Sequence, residues 1–173
     1  MATIEHSPGW HERPGLSALL PGPLVRAERA PVAIAVAWLT AFGPSIVLAA
    51  LVSALLPQVA QPQFDVSGTV AFVLIVIFSP IAETLIMGGV LLVLLRFVSP
   101  GVAVLLSSLG WGIAHSLGAP TWGLVIWWPF LVFSTLFVTW RSRGLLAAFA
   151  MPAIAHGLHN LPSAILVAYT DLI

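Results

Sequence analysis

The 173-residue chain has no cysteine and no lysine, and only 7% of its residues are charged. Without cysteine there are no disulfides, no thiolate metal sites and no cysteine nucleophile. A soluble domain carries about 25% charged residues, so a chain this poor in charge, with a mean hydropathy of +1.07, falls outside the ordinary soluble class. Acid is scarcer still. Between Asp65 and Asp171 the only carboxylate side chain belongs to Glu83.

What the chain has instead is a series of apolar runs long enough to cross a hydrocarbon core of about 30 Å as helices. The expected fold class is all-α: a polytopic membrane helical bundle of about five transmembrane helices, over residues 31–56, 68–97, 100–117, 121–140 and 145–169. Pro31 suits a first helical turn, and Gly43-Pro44 predicts a kink. The second run measures about 45 Å at 1.5 Å per residue, so it has to tilt, break at Pro80 or protrude. Ser108, Gly112 and Ser116 recur at four-residue spacing and predict a close helix–helix seam. Trp122, Trp127, Trp128 and Trp140 read as interfacial anchors.

Residues 1–30 are punctuated by proline and glycine and hold half of the charged residues, which predicts a cytoplasmic N-terminal arm, mobile or lying on the surface, ahead of a transmembrane domain over 31–173. With five spans, Arg13, Arg26, Arg29, Arg96, Arg141 and Arg143 all fall on one side. The positive-inside rule makes that side, and the N-terminus, cytoplasmic. Arginine as the sole base, with abundant alanine, glycine and proline, suggests a GC-rich bacterial source and hence a bacterial inner membrane. The expected partners are the lipid bilayer and a membrane-embedded or lipid-modified peptide or protein substrate, with no nucleic acid.

Glu83 organises the polar residues of the spans. A carboxylate facing lipid costs at least about 2.5 kcal/mol, so an acid at this depth is expected to face a cavity or a partner. Pro80, three residues earlier, leaves a carbonyl without its helical donor, which points to a polar pocket there. Counted from the arginine-bearing ends of their helices, Glu83, His115 and His156 each lie roughly 20 Å in. Asn160 follows His156 by one turn on the same face. Glutamate can take a proton from water, histidine can share that water or bind a metal, and His with Asn can donate hydrogen bonds to an oxyanion. Alternatively, Glu83, His115 and His156 can ligate a divalent metal such as zinc and leave a position open for water. The residues leave both versions open. His159 sits beside the His156–Asn160 stripe and reads as packing or support, while His6 and His11 read as solvated.

These residues resemble the CAAX protease and bacteriocin-processing (CPBP, or Abi) family of intramembrane endopeptidases. Pro80-Ile81-Ala82-Glu83-Thr84 is similar to its first motif, Trp111 to His115 to its second, and His156 to Asn160 to its third. The resemblance covers about residues 68–165. It implies that Glu83 with His115 activates water, and that His156 and Asn160 stabilise the oxyanion. It differs at two positions: Thr84 stands where the family has a second glutamate, and Gly88 where it has an arginine. The expected activity is a glutamate-dependent intramembrane protease, with substrate entering laterally or from the cytoplasmic side. The competing reading is a catalytically inactive immunity or scaffold protein on the same fold. Other intramembrane protease types are disfavoured, since the chain lacks His-Glu-x-x-His, Gly-x-Ser-x-Gly and a membrane aspartate pair. A bis-histidine haem protein would leave Glu83 and Asn160 without roles, and no repeat between the halves suggests a carrier.

Overall fold

The computed structural model describes residues 10, 15–59 and 66–169. His6, His11, Arg13, Asp65 and Asp171 lie outside the described residues. The apolar runs form five long helices: α1 (Ala30–Leu55), α2 (Gly68–Leu94), α3 (Pro100–Ser116), α4 (Trp122–Trp140) and α5 (Leu145–Tyr169). Two short helical turns, Leu16–Leu19 and Gly22–Val25, precede α1. There is no strand among the described residues. The chain is an all-α, membrane-type bundle and an integral membrane protein.

Three helical stretches, Ala30–Leu55, Gly68–Leu94 and Trp122–Arg143, are long and apolar enough to cross a membrane by length and composition. The other two fall short for local reasons. α3 has 17 residues, and α5 dilutes its apolar content with His156, His159, Asn160 and two internal prolines. The bundle turns many large apolar side chains outward, among them Leu39, Val70, Leu85 and Ile113. That is what a helix surface facing lipid requires.

α4 is the central helix. Its residues from Pro129 to Trp140 are buried, and it packs against each of the other four. The closest approach is between α3 and α4, where the predicted small-residue seam lies. A Cβ on Gly123 would overlap the Gly112 carbonyl and the Ser116 hydroxyl, and one on Gly112 would meet Trp127 Cβ at 3.1 Å. Lower on the same interface, the Ser134 hydroxyl donates to Ser107 Oγ at 3.0 Å.

The arginine-bearing ends of the helices are gathered together. Arg143 Nε, after α4, donates to the Ala27 carbonyl before α1 at 2.9 Å. The Thr139 hydroxyl donates to the Leu24 carbonyl at 2.8 Å and accepts the Trp10 indole N–H at 3.2 Å. Leu24 and Val25 are thereby part of the buried core. At the opposite end Phe72, near the start of α2, meets Tyr169, the last residue of α5, at a ring separation of 6.2 Å.

The tryptophans depart from the anchor reading. Trp140 is buried, Trp128 donates its indole N–H to the Thr40 carbonyl of α1 at 2.7 Å, and Trp122 lines an internal cavity. The aromatic content of α4 serves packing in the bundle because α4 is surrounded by helices, which leaves it little lipid boundary.

Candidate active site

Pro80 sets the local geometry of α2. Its nitrogen has no hydrogen to donate, and its ring crowds the carbonyl four residues back. The helix does not break. It widens into a π-helical turn over Leu74–Phe78, in which the Ser79 N–H bonds to the Leu74 carbonyl. Single π turns of this kind are frequent at functional sites. Carbonyls in the widened turn are met by α5. Asn160 Nδ2 donates to the Ile75 carbonyl at 3.1 Å. Gly157 lies so close that an added Cβ would stand 2.8 Å from the Val76 carbonyl oxygen.

Immediately after this turn, α2 resumes and carries Ser79 and Glu83 on one face. The Ser79 hydroxyl donates to Glu83 Oε1. The other carboxylate oxygen, Oε2, stands 3.9 Å from His156 Nε2. This is a close charge–imidazole approach that exceeds hydrogen-bond length.

Glu83, His115, His156 and Asn160 all line one cavity of about 320 Å³, together with Ser79 and His159. Each histidine is fixed by rings. His156 is stacked on Phe133 at 4.7 Å and meets Phe130 edge-on at 5.3 Å. His115 meets Trp122 edge-on at 4.8 Å. His159 meets Phe133 and Phe42 edge-on at 5.8 and 6.0 Å. The tautomer of His115 is also fixed. Its Nδ1 lies 2.9 Å from the Trp111 carbonyl, and a carbonyl only accepts, so Nδ1 carries the hydrogen. In the neutral ring Nε2 is then the basic nitrogen.

The sequence reading places His159 in a packing or supporting role, whereas the fold brings it onto the cavity wall beside His156. Ser79 and Trp122 were not singled out as site residues. The position of Ser79 one turn before Glu83 on a helix is a signal for the first. A first-turn tryptophan following a histidine-bearing helix is no comparable signal for the second.

The two motif departures share a different face. Thr84 is 2% exposed, and neither it nor Gly88 lines the cavity. A Cβ on Gly88 would collide with Phe149 and come within 2.6 Å of Phe137 Cε2. Those two rings pack edge-to-face at 5.0 Å. The space for a long side chain at position 88 is filled with aromatic carbon.

A metal would need ligands from Glu83, His115 and His156. Among the described residues no three His, Asp or Glu side chains converge as a ligand group. The arrangement gathers one carboxyl group and three imidazoles in a partly apolar cavity, a set suited to proton transfer and to hydrogen bonding with an oxyanion.

No curated protein and no solved structure matches the chain significantly. A family model described as type II CAAX prenyl endopeptidase Rce1-like matches residues 65–162, a span that begins before α2 and contains every cavity residue contributed by α2, α3 and α4, with His156, His159 and Asn160 from α5. The chain therefore belongs to the Rce1-like type II CAAX prenyl endopeptidase family.

Proposed function

We propose that the protein is an intramembrane endopeptidase in which Glu83 activates water for attack on a substrate peptide bond. The observation that carries this reading is the convergence of Glu83, His115, His156 and Asn160, from three helices, on one cavity. Family membership supports the reaction class.

In this mechanism a water is held between the Glu83 carboxylate and His115 Nε2. Glu83 takes a proton as the water oxygen bonds to the carbonyl carbon, giving a tetrahedral intermediate. The developing oxyanion accepts hydrogen bonds from His156 and from the amide hydrogen of Asn160 that is not given to Ile75. The C–N bond then breaks, and the proton held by Glu83 passes to the leaving amine. Ser79 positions Glu83 by fixing one carboxylate oxygen, which leaves the other for water. Such donors in a water-poor site are worth roughly 10² to 10³ in rate each.

The inactive immunity or scaffold reading rests on Thr84 and Gly88. Gly88 faces Phe137 and Phe149, Thr84 is buried, and neither lines the cavity, so their identity leaves the cavity's polar set intact. The test is cleavage by purified protein in lipid vesicles. Glu83→Gln is expected to abolish it at unchanged thermal stability. Equal cleavage by both proteins would remove Glu83 from the chemistry.

A further inference from the structure

Among the described residues, the cavity is closed on one side of the bundle and open on the other. Toward the arginine-bearing ends, beyond Glu83 and His156, the interior is filled. Met87, Leu91, Leu136, Phe137 and Ala148 are all 0% exposed, and Leu24 from the segment before α1 closes the end at 0%. Toward the other end nothing comparable intervenes among the described residues. The lining there includes His115 in the last turn of α3, Trp122 at the start of α4, and Ala49 and Ser163 in the last thirds of α1 and α5. Exposure rises in the same direction. Phe133, Phe130 and His156 at the floor are 0%, 1% and 4% exposed, whereas Ile46 near the mouth is 52% exposed and Ala49 and Ser163 are exposed.

We infer that this site is entered from the arginine-free face of the membrane, and that it takes a peptide segment lacking charged side chains. By the positive-inside rule that face is extracytoplasmic. The expected route from the cytoplasmic side runs into the Leu24 and Phe137 packing. The class of segment follows from the walls. Ile46, Val125, Ile126 and Trp122 are apolar, Ser45 and Ser163 supply hydroxyls, and the ionisable side chains on the lining are Glu83 and the three histidines, the groups assigned to the reaction or set beside it. A charged side chain drawn against the apolar part of these walls, between the mouth and Glu83, loses hydration without gaining a partner there. Calling the occupant a substrate rests on the peptidase reading, whereas the direction of opening does not.

Because the chain has no cysteine, single cysteines report access directly. Ser163→Cys and Ser45→Cys probe the cavity. Leu117→Cys, at a residue 86% exposed just after α3, marks the arginine-free end. Ser142→Cys, between Arg141 and Arg143, marks the other. Each is treated with a membrane-impermeant maleimide in intact cells and in inside-out vesicles. The expected result is one label per chain on Ser163→Cys, Ser45→Cys and Leu117→Cys in intact cells and none in inverted vesicles, with the reverse for Ser142→Cys.

Cavity labelling from the Ser142 side overturns the inference. So does labelling of the cavity cysteines only by a membrane-permeant reagent, since the opening would then be to lipid alone. Labelling of Ser142→Cys in intact cells reverses the orientation and also overturns it. If Ser45→Cys fails to accumulate, Ser163→Cys decides alone. The same pattern is expected on a Glu83→Gln background, so a failed peptidase reading leaves the access result standing. Cleavage sites flanked by charged residues would contradict the substrate class.

Discussion

Asn160 donates its side-chain N–H to the Ile75 carbonyl at 3.1 Å, which ties α5 to the π-helical turn just before Glu83. An amide nitrogen has two hydrogens. One holds the α2–α5 geometry and the other is available to an oxyanion. Asn160→Ala removes both, and the expected result is a loss of roughly 10² to 10³ in kcat with a fall of about 1 kcal/mol in stability. Rate assays with the purified protein and thermal unfolding in detergent check the two parts separately. An unchanged rate would remove Asn160 from the oxyanion role.

The Ser79 hydroxyl on Glu83 Oε1 is a hydrogen bond to a charged group, of the class that contributes about 1.5 to 3 kcal/mol. Ser79→Ala is expected to lower kcat roughly 10- to 100-fold with KM nearly constant, and Ser79→Thr to restore most of it. A purely structural serine would instead change the yield of folded protein and leave kcat alone.

Thr84 Oγ1 is buried without a hydrogen-bond partner, and its position is outside the cavity. Thr84→Val is therefore expected to keep activity within about twofold and to leave stability equal or slightly raised, since no hydrogen bond is lost and a desolvated hydroxyl is removed. Gly88→Arg, which restores the family residue, is expected to destabilise by at least about 1 to 3 kcal/mol because Phe137 and Phe149 occupy its space. Measured melting temperatures in one detergent decide both. A stable, more active Gly88→Arg would show that this face repacks freely.

Gly157 and Gly123 mark two close approaches with different consequences. Gly157→Ala pushes against the Val76 carbonyl beside the π-helical turn, so it is expected to cost activity more than stability. Gly123→Ala pushes α4 from α3 at Gly112 and Ser116, and about 1 to 3 kcal/mol of stability is the expected cost. Paired cleavage and unfolding measurements on the two variants separate these effects.

The five helices were legible because apolar runs bounded by Pro, Gly and Arg have few alternatives in a bilayer. The candidate cavity was legible because Glu83, His115, His156 and Asn160 stand out in segments that are otherwise apolar. Depth counting brought the four to one layer, and the fold brings them to one cavity. It could not tell which side of that layer is filled, since this depends on Leu24 and Phe137 packing from distant parts of the chain. The π-helical turn was half visible. Pro80 announced a disturbed hydrogen-bond pattern, but the absorbing carbonyls depend on Asn160 and Gly157 across an interface. Trp122 was misread because tryptophan near a helix end has the same local sequence whether it meets lipid headgroups or a histidine ring.

The most direct test of the central claim is a comparison of new peptide termini in bacterial membranes expressing the wild-type chain or Glu83→Gln at equal abundance. Glutamine keeps the volume of the side chain and much of its hydrogen bonding and cannot serve as a general base. The account predicts a set of termini present with the wild type and absent with Glu83→Gln. Identical profiles, under conditions where the wild-type chain alters the cell, would contradict a glutamate-dependent endopeptidase and favour the inactive immunity or scaffold reading.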